Sequence, residues 1–262
     1  MKLHRFAFSF ALLGLLAVAN FAAAQQATAP KAAAPAAPAK KLVPVVPAGP
    51  KESVTPVPRE GKWIDRHNLI NSRAVPGQVD VIFLGDSITQ GWEGSGKAAW
   101  DKHFTSLKPM NAGIGGDRTE HVLWRLDNGN IKGITPKVAV IMIGTNNSRT
   151  NTSEQIADGI KAIVAKLREK LPETKILLLA VFPRGADNND ALRKTNTGAN
   201  NIVKSLDDGK NVFYLDIGPK FLTADGVLEK KIMPDLLHLS PEGYEIWATS
   251  ILPKLNELLG NK

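Results

Sequence analysis

The fold of this chain is decided by the stretch Val79-Asp80-Val81-Ile82-Phe83-Leu84-Gly85-Asp86-Ser87-Ile88-Thr89, where an apolar run ends at a glycine and a polar pair. The β-branched and aromatic side chains predict a buried strand, and Gly85-Asp86-Ser87 predicts the turn at its carboxyl end. Ligands bind at this edge of an open α/β sheet. Ser87 is therefore a candidate nucleophile, although Asp and Ser are also typical helix caps.

Further apolar runs and amphipathic segments alternate along the chain. The predicted strands cover residues 79–84, 107–111, 138–143, 175–181 and 212–215. The predicted helices cover residues 63–73, 98–104, 118–126, a segment opened by the capping box Thr152-Ser153-Glu154-Gln155, residues 191–206, and a last helix opened by Ser240-Pro241. This alternation predicts a parallel sheet of about five strands, covered by helices on both faces.

The first 24 residues have the order of a secretory signal peptide. A charged start is followed by an apolar segment, and Ala22-Ala23-Ala24 precedes Gln25. We expect cleavage after Ala24 and export to the periplasm or the extracellular space. The alternative is an uncleaved membrane anchor, because residues 6–24 approach the roughly 20 residues that span a bilayer.

Residues 25–58 are mostly Ala, Pro, Lys and Val without periodicity, which predicts a disordered cationic linker before a domain at 59–262. The linker is either a spacer or a segment that associates weakly with an anionic surface. Residues 1–58 contain six Lys or Arg and one Glu, so five of the eight net positive charges lie outside the domain. We therefore expect no nucleic-acid partner. The chain has no cysteine, which excludes a thiolate nucleophile.

One histidine has a carboxylate close to it in the sequence. Asp235 precedes His238 by three residues, between a Met-Pro break and the last predicted helix. If this segment is a helical turn, the carboxylate reaches one ring nitrogen and leaves the other for the strand ends. Such a pair suits an imidazole that takes a proton from a serine; the alternative is a cap beside a histidine that fills a gap. No His-x-x-x-His or Glu-x-x-His pair indicates zinc, and we expect neither metal nor cofactor.

Two predicted turns could supply donors to an oxyanion. The glycine-rich turn Gly113-Ile114-Gly115-Gly116 exposes backbone N–H groups before a helix, whose positive end favours anions. Asn146 follows the strand at 138–143 and could present its side-chain amide at the same edge. A dinucleotide site is disfavoured because the third fingerprint glycine is missing.

Four blocks in this order resemble the SGNH, or GDSL, hydrolases. They are Gly85-Asp86-Ser87-Ile88, the turn ending in Gly116-Asp117, Gly144-Thr145-Asn146-Asn147 and Asp235-x-x-His238. Trp63, residues 121–126 and residues 182–185 extend the similarity to the catalytic α subunits of platelet-activating-factor acetylhydrolase. The resemblance covers about residues 60–258 and implies a flavodoxin-like three-layer α/β/α sandwich.

The resemblance also implies roles for single residues. Ser87 becomes the nucleophile, His238 the base and Asp235 the orienting acid. The oxyanion hole is implied to comprise the N–H groups of Ser87 and Gly116 and the side chain of Asn146. The sequence departs from the family pattern in having Ile88 for the leucine of the GDSL name, and in the exported basic linker. The α/β-hydrolase family is disfavoured because Thr89 replaces the second glycine of Gly-x-Ser-x-Gly.

We therefore expect an exported serine esterase that acts on a small-molecule or carbohydrate ester, with O-acetyl esters as the leading hypothesis. Two alternatives stay open at this point. The first is a lysophospholipase or short-chain lipase. The second, from another functional class, is a non-catalytic carbohydrate-binding protein on the same fold.

Overall fold

The computed structural model describes residues 52–260, which form a five-stranded parallel sheet with helices on both faces. The strands are β1 Val81–Gly85, β2 Pro109–Gly113, β3 Val138–Met142, β4 Lys175–Leu179 and β5 Val212–Leu215. The strand order is β2-β1-β3-β4-β5, which is the flavodoxin-like order. The predicted three-layer α/β/α fold with about five strands is confirmed.

The helices lie on the two faces of this sheet. They are α1 Lys62–Arg73, α2 Ser87–Gln90, α3 Lys97–His103, α4 Thr119–Asp127, α5 Ser153–Lys170, α6 Ala191–Val203 and α7 Pro241–Leu259. Apolar residues of α1, α4, α5 and α6 form one core cluster with the sheet. Those of α2, α3 and α7 form the other.

Strands β1, β3, β4 and β5 contribute apolar residues to both cores because their side chains alternate between faces, whereas β2 contributes only to the first. In β1, Ile82 and Leu84 belong to the first cluster, whereas Val81 and Phe83 belong to the second. The second core is rich in aromatic rings, and Trp92 packs against Trp247 with ring centroids 4.7 Å apart. Burial on both faces explains why the central strands are continuous apolar runs rather than alternating ones.

Sequence signals for helix starts correspond to the observed ends. Thr152 and Gln155 form the predicted capping box at the start of α5, each side chain accepting from the backbone of the other residue. Ser240 caps α7, and Pro241 occupies its first turn. The predicted helix at 191–206 is shorter in the structure, because residues Lys204–Leu206 tighten into a 3₁₀ turn after α6.

The register of the strands brings several turns to one edge. Gly85, the last residue of β1, pairs with Gly113 of β2 and with Met142 of β3. The chain therefore leaves these three strands at the same level, which places Ser87, Gly116 and Asn146 on the carboxyl edge of the sheet. No helix among residues 52–260 is long and apolar enough to cross a membrane.

Residues 52–58 differ from the prediction, which assigned them to the linker. Glu52–Val54 form a 3₁₀ turn, and Ser53 is buried. The Ser53 carbonyl accepts a hydrogen bond from Thr119 Oγ1 at 2.8 Å, and Glu52 pairs with Arg118 at 3.3 Å. The folded part of the chain therefore begins before residue 59. The predicted signal peptide at 1–24 and the rest of the linker lie outside the described residues.

Candidate active site

Ser87 is the first residue of a helix that starts directly at the end of β1. The Asp86 carboxylate accepts from the N–H of Ile88 at 2.9 Å and so caps α2. Gly85 allows this sharp exit, because a Cβ there would lie 2.1 Å from Thr89 Oγ1 and 2.4 Å from the Met142 carbonyl oxygen. The capping interpretation is thus correct for Asp86, and it leaves the half-buried Ser87 side chain free for other contacts.

Asp235 and His238 lie together in the loop that precedes α7. Asp235 Oδ2 is 2.6 Å from His238 Nδ1, and Asp235 Oδ1 accepts from the backbone N–H of His238 at 2.7 Å. The segment is a turn rather than the helical turn considered from the sequence, because Leu236 adopts the left-handed conformation with φ of 60°. The carboxylate therefore fixes both the position of the ring and its protonated nitrogen.

The other ring nitrogen of His238 faces Ser87. Nε2 lies 2.8 Å from Ser87 Oγ, across 151 residues of sequence. Burial of Asp235 opposes its ionisation, but the hydrogen bonds from the His238 side chain and backbone outweigh this effect and hold the pKa of Asp235 below its usual value. An ionised carboxylate, an imidazole and a hydroxyl are thus in line, an arrangement that can remove the hydroxyl proton.

The structure also brings the three candidate oxyanion donors to this edge. Gly116 is exposed and has φ of 76°, a conformation that strains residues with a side chain. Within residues 52–260, the N–H groups of Ser87 and Gly116 have no hydrogen-bond acceptor. The Asn146 side chain donates to the Asp117 carbonyl oxygen at 2.9 Å and lies 3.4 Å from Asp86 Oδ2. Two unused N–H donors are therefore available to an anion, and the Asn146 amide lies at the same edge, held by its contacts to Asp117 and Asp86.

Asp86 is an unusual neighbour for such a site. Its carboxyl group is completely buried, and burial raises its pKa from 3.8 to about 7. The nearby charge of Asp117 acts in the same direction, whereas the backbone N–H of Ile88 and the charges of His238 and Arg184 oppose the rise. Asp86 is therefore largely neutral in weakly acidic solution.

A buried ion pair stabilises the glycine-rich turn from the interior of the domain. Asp117 and Arg125 are both inaccessible to solvent, with Arg125 Nε 2.9 Å from Asp117 Oδ2. Arg125 also donates to the Ala112 carbonyl oxygen at 2.8 Å, and Trp63 Nε1 donates to Asp117 Oδ1 at 2.6 Å. The sequence pattern did not indicate a role for this pair. Arg125 follows Gly116 by nine residues, in the second turn of α4, and its position in a helix gave no sign of burial.

Arg59 was also missed, because it stands at the predicted boundary between the linker and the domain. Its guanidinium group donates to the Gly115 carbonyl oxygen at 2.8 Å and lies 3.7 Å from Asp117 Oδ1. It covers the side of Gly116 on which a Cβ would stand, with Nη1 3.1 Å from that position. Arg59 thus helps to fix the turn that carries the Gly116 N–H group.

The remaining described histidines have structural contacts. His67 is buried and bonds to Asn128 and Asn71, and His103 pairs with Glu245 at 2.9 Å, a carboxylate partner that the sequence did not indicate. Burial, followed by the charges of three nearby arginines, lowers the pKa of His121 to about 4. Among residues 52–260 there is no cluster of three or more His, Cys, Asp or Glu suited to a metal ion.

Comparison with known proteins identifies the family. Residues 83–246 match the model of the GDSL-like lipase/acylhydrolase family. The chain belongs to this family. The chain is also similar to the α1 subunit of platelet-activating factor acetylhydrolase IB from Bos taurus, with 37% identity over 214 residues, which cover 81% of this chain and 89% of that protein. The resemblance to these acetylhydrolase subunits is thus confirmed.

Solved structures share the fold of this GDSL acylhydrolase. A GDSL-like lipase from Bacteroides thetaiotaomicron superposes with a TM-score of 0.61 at 19% identity, covering 74% of this chain and 97% of that one. An acetylxylan esterase from Geobacillus stearothermophilus superposes with a TM-score of 0.56 at 17% identity, covering 72% and 97%. At these identities the likeness concerns the fold. Family membership makes the protein an esterase-type enzyme.

Proposed function

We propose that this protein is an exported serine esterase that removes small acyl groups, preferentially O-acetyl groups, through a covalent intermediate on Ser87. One observation carries the proposal. Ser87 Oγ lies 2.8 Å from His238 Nε2, and His238 Nδ1 lies 2.6 Å from Asp235 Oδ2. The base is thereby within hydrogen-bond distance of both the nucleophile and the orienting carboxylate.

The reaction follows from these contacts. As Ser87 Oγ attacks the ester carbonyl carbon, its proton passes to His238 Nε2, and Asp235 stabilises the resulting imidazolium. The negative charge on the former carbonyl oxygen is stabilised by the N–H groups of Ser87 and Gly116 and by the Asn146 amide. His238 then returns the proton to the leaving alcohol oxygen as the ester C–O bond breaks. A water molecule, deprotonated by His238, hydrolyses the acyl-Ser87 ester and restores the free enzyme.

Two observations support a small acyl group. The acetylhydrolase named above is 37% identical to this chain, and its name specifies acetyl transfer to water. Beside the nucleophile, Gly115 is close enough that its Cβ would lie 3.9 Å from Ser87 Cβ, and Gln90 Oε1 accepts the Gly115 N–H at 2.7 Å. This side of Ser87 is thus bounded by a polar side chain and a backbone turn, which suit a short acyl group better than a long alkyl chain.

Export is the second part of the proposal and rests on the sequence. The order of charged, apolar and small residues before Gln25 supports cleavage after Ala24. Mass spectrometry of the protein purified from the exported fraction should give an N-terminus at Gln25. Recovery of the intact chain in the membrane fraction would instead support the anchor.

Turnover of p-nitrophenyl acetate by the wild type, Ser87→Ala and Ser205→Ala tests the chemistry, since Ser205 is an exposed serine on the turn after α6. We expect only Ser87→Ala to lose several orders of magnitude in kcat and to lose labelling by a fluorophosphonate. Full activity of a folded Ser87→Ala protein would refute the mechanism.

A series of esters from acetate to decanoate tests the acyl preference, and a maximum at long chains would support a lipase. An unlabelled wild-type protein would support a non-catalytic binding role.

A further inference from the structure

A cavity lies on the same edge of the sheet as Ser87. It has a volume of about 360 Å³ and is enclosed by α6, by the ends of β4 and β5 and by the segment that follows β5. Its lining includes Asn196, Thr197 and Asn201 of α6 and Tyr214 of β5. We call this space the α6 pocket. Its volume is in the range of small-molecule sites.

One group in the α6 pocket lacks a partner that its burial demands. Asn196 is 1% exposed, and its side-chain Nδ2 lies 3.3 Å from Thr145 Oγ1. Its Oδ1 has no hydrogen-bond partner among residues 52–260. Buried amide oxygens are rarely left unpaired, because the lost contact with water is not compensated. Asn196 lines the pocket, so a rotation of its side chain would bring this oxygen to a ligand hydroxyl.

The other lining groups favour a neutral ligand rich in hydroxyl groups. Thr197 and Asn201 are exposed, and neither side chain has a hydrogen-bond partner among the described residues. Tyr214 is half-buried and offers both a ring face and a hydroxyl group. The lining carries two cations, Arg193 and Lys204, and one anion, Asp216. The guanidinium group of Arg193 is already hydrogen-bonded to the carbonyl oxygens of Arg184, Gly185 and Gly226, so Lys204 and Asp216 leave little free charge to select an ionic ligand. Amides, hydroxyls and an aromatic ring together match the alternating polar and C–H surfaces of a sugar.

Hydrogen bonds link the α6 pocket to the active site. Thr145 Oγ1, which Asn196 contacts, also accepts from Arg184 Nη1 at 3.2 Å, and Thr145 directly precedes Asn146. The N–H of Gly185 donates to the Leu236 carbonyl oxygen at 2.9 Å, two residues before His238. The wall between the two sites is therefore bonded both to the turn of Asn146 and to the loop of His238.

The separation of the sites sets the length of a ligand that reaches both. Ser87 follows β1 and the α6 pocket lies at the end of β5, three strands away in the sheet. At about 4.8 Å per strand this is roughly 14 Å. A single sugar ring cannot span this distance, whereas an oligosaccharide lying along the sheet edge can.

We propose that the α6 pocket is a carbohydrate-binding subsite, which holds a distal sugar of an oligosaccharide whose O-acyl group is presented to Ser87. This inference adds a substrate class to the proposed function. Hydrolysis of the bound ester rests on the proposed function. The binding part does not, because a sugar without an acyl group still fits the pocket. Two measurements therefore separate the two claims.

The first measurement is binding without chemistry. Calorimetric titration of the Ser87→Ala protein uses unacylated xylohexaose, cellohexaose and chitohexaose as probes. The blocking variant is Thr197→Trp, which places a large side chain from an exposed position into the pocket. The matched control is Lys194→Trp, on an exposed position of the same helix that does not line the pocket. We expect at least one hexasaccharide to bind, and Thr197→Trp but not Lys194→Trp to weaken its binding by about tenfold or more.

The second measurement compares a long with a short substrate in the otherwise wild-type enzyme. Thr197→Trp should raise KM for acetylated xylo-oligosaccharides by about tenfold while kcat/KM for p-nitrophenyl acetate stays within about twofold. An equal loss on both substrates, an unchanged KM for the oligosaccharide, or no binding of any hexasaccharide would overturn the subsite. A protein that binds hexasaccharide in the pocket but hydrolyses neither ester would overturn the proposed function and leave the subsite standing.

Discussion

The side-chain amide of Asn146 donates to the backbone carbonyl of Asp117 at 2.9 Å, which ties the turn after β3 to the turn after β2. These are the two turns that carry the Asn146 amide and the Gly116 N–H group. Asn147 strengthens the tie, because its Oδ1 accepts from the Thr119 N–H at 2.9 Å at the start of α4. The donors of the proposed oxyanion hole are therefore positioned before substrate arrives, as electrostatic stabilisation of a transition state requires.

Replacement of Asn146 by Ala tests this arrangement. The variant lacks one of the three proposed donors to the oxyanion, so kcat on p-nitrophenyl acetate should fall by about 10²- to 10³-fold. KM should change little, because the interaction forms mainly in the transition state. Thermal unfolding serves as the control for folding. A folded variant that keeps more than about a tenth of wild-type kcat would show that Asn146 is not an oxyanion donor.

The Asp235→Asn variant tests whether the carboxylate orients the imidazole. The amide can still accept from the His238 backbone N–H, so the loop should keep its shape. Its NH₂ group, however, can donate to Nδ1 and so favour the ring tautomer with the proton on Nε2, which cannot accept the Ser87 proton. We expect kcat to fall by roughly 10⁴-fold at neutral pH. A loss of less than about tenfold, with normal unfolding behaviour, would mean that His238 needs no orienting carboxylate.

The pKa of Asp86 gives a prediction for stability. Because its folded value of about 7 lies above the ordinary 3.8, folded Asp86 keeps a proton that the unfolded chain has lost between these pH values. The contribution of this group to stability is therefore fully present below about pH 4 and is lost as the pH rises through 7. A tenfold change in an acid dissociation constant corresponds to about 1.4 kcal/mol, so the loss amounts to several kcal/mol.

Urea unfolding of wild type and Asp86→Asn at pH 5 and pH 8 measures this contribution. The amide oxygen can still accept from the Ile88 N–H, but the side chain no longer ionises. We expect the free energy of unfolding of wild type to fall more from pH 5 to pH 8 than that of the variant. The difference, variant minus wild type, should therefore increase. An equal pH dependence in the two proteins would show that Asp86 titrates near its ordinary value.

The strand ends of the site were predictable from the sequence because their signals are local. The apolar run ends at Gly85, two residues before the proposed nucleophile Ser87, and Asp235 stands three residues before His238, which it contacts in the structure. Two features of the turns were not visible. Leu236 takes a left-handed conformation that glycine or asparagine usually adopts, and Arg59 reaches Gly115 across 56 residues. Contacts of this kind depend on the completed fold, and periodicity or residue spacing does not encode them.

The burial of Arg125 in the core was likewise not predictable from residue spacing. A charged residue in an amphipathic helix is expected at the surface, but Arg125 is fully buried against Asp117. Arg125→Met should lower the free energy of unfolding by about 3–5 kcal/mol, since it leaves a buried carboxylate without its partner. The control is Lys161→Ala, which breaks an exposed pair with Asp158 and should cost no more than about 0.5 kcal/mol. Similar losses in both variants would contradict a structural role for the buried pair.

The start of the folded domain can be tested by truncation. Residues 52–58 resemble a linker in sequence because of their prolines, yet Ser53 is buried and its carbonyl oxygen accepts the Thr119 hydroxyl. A chain that begins at Arg59 should be less stable than one that begins at Glu52 by about 1–3 kcal/mol, because a buried hydroxyl loses an acceptor. For a domain of this size, each 1 kcal/mol lowers Tm by about 2–4 °C. The chain that begins at Gln25 is the control and should match the one from Glu52. Equal Tm values for the chains from Glu52 and Arg59 would show that residues 52–58 do not stabilise the domain and belong to the linker.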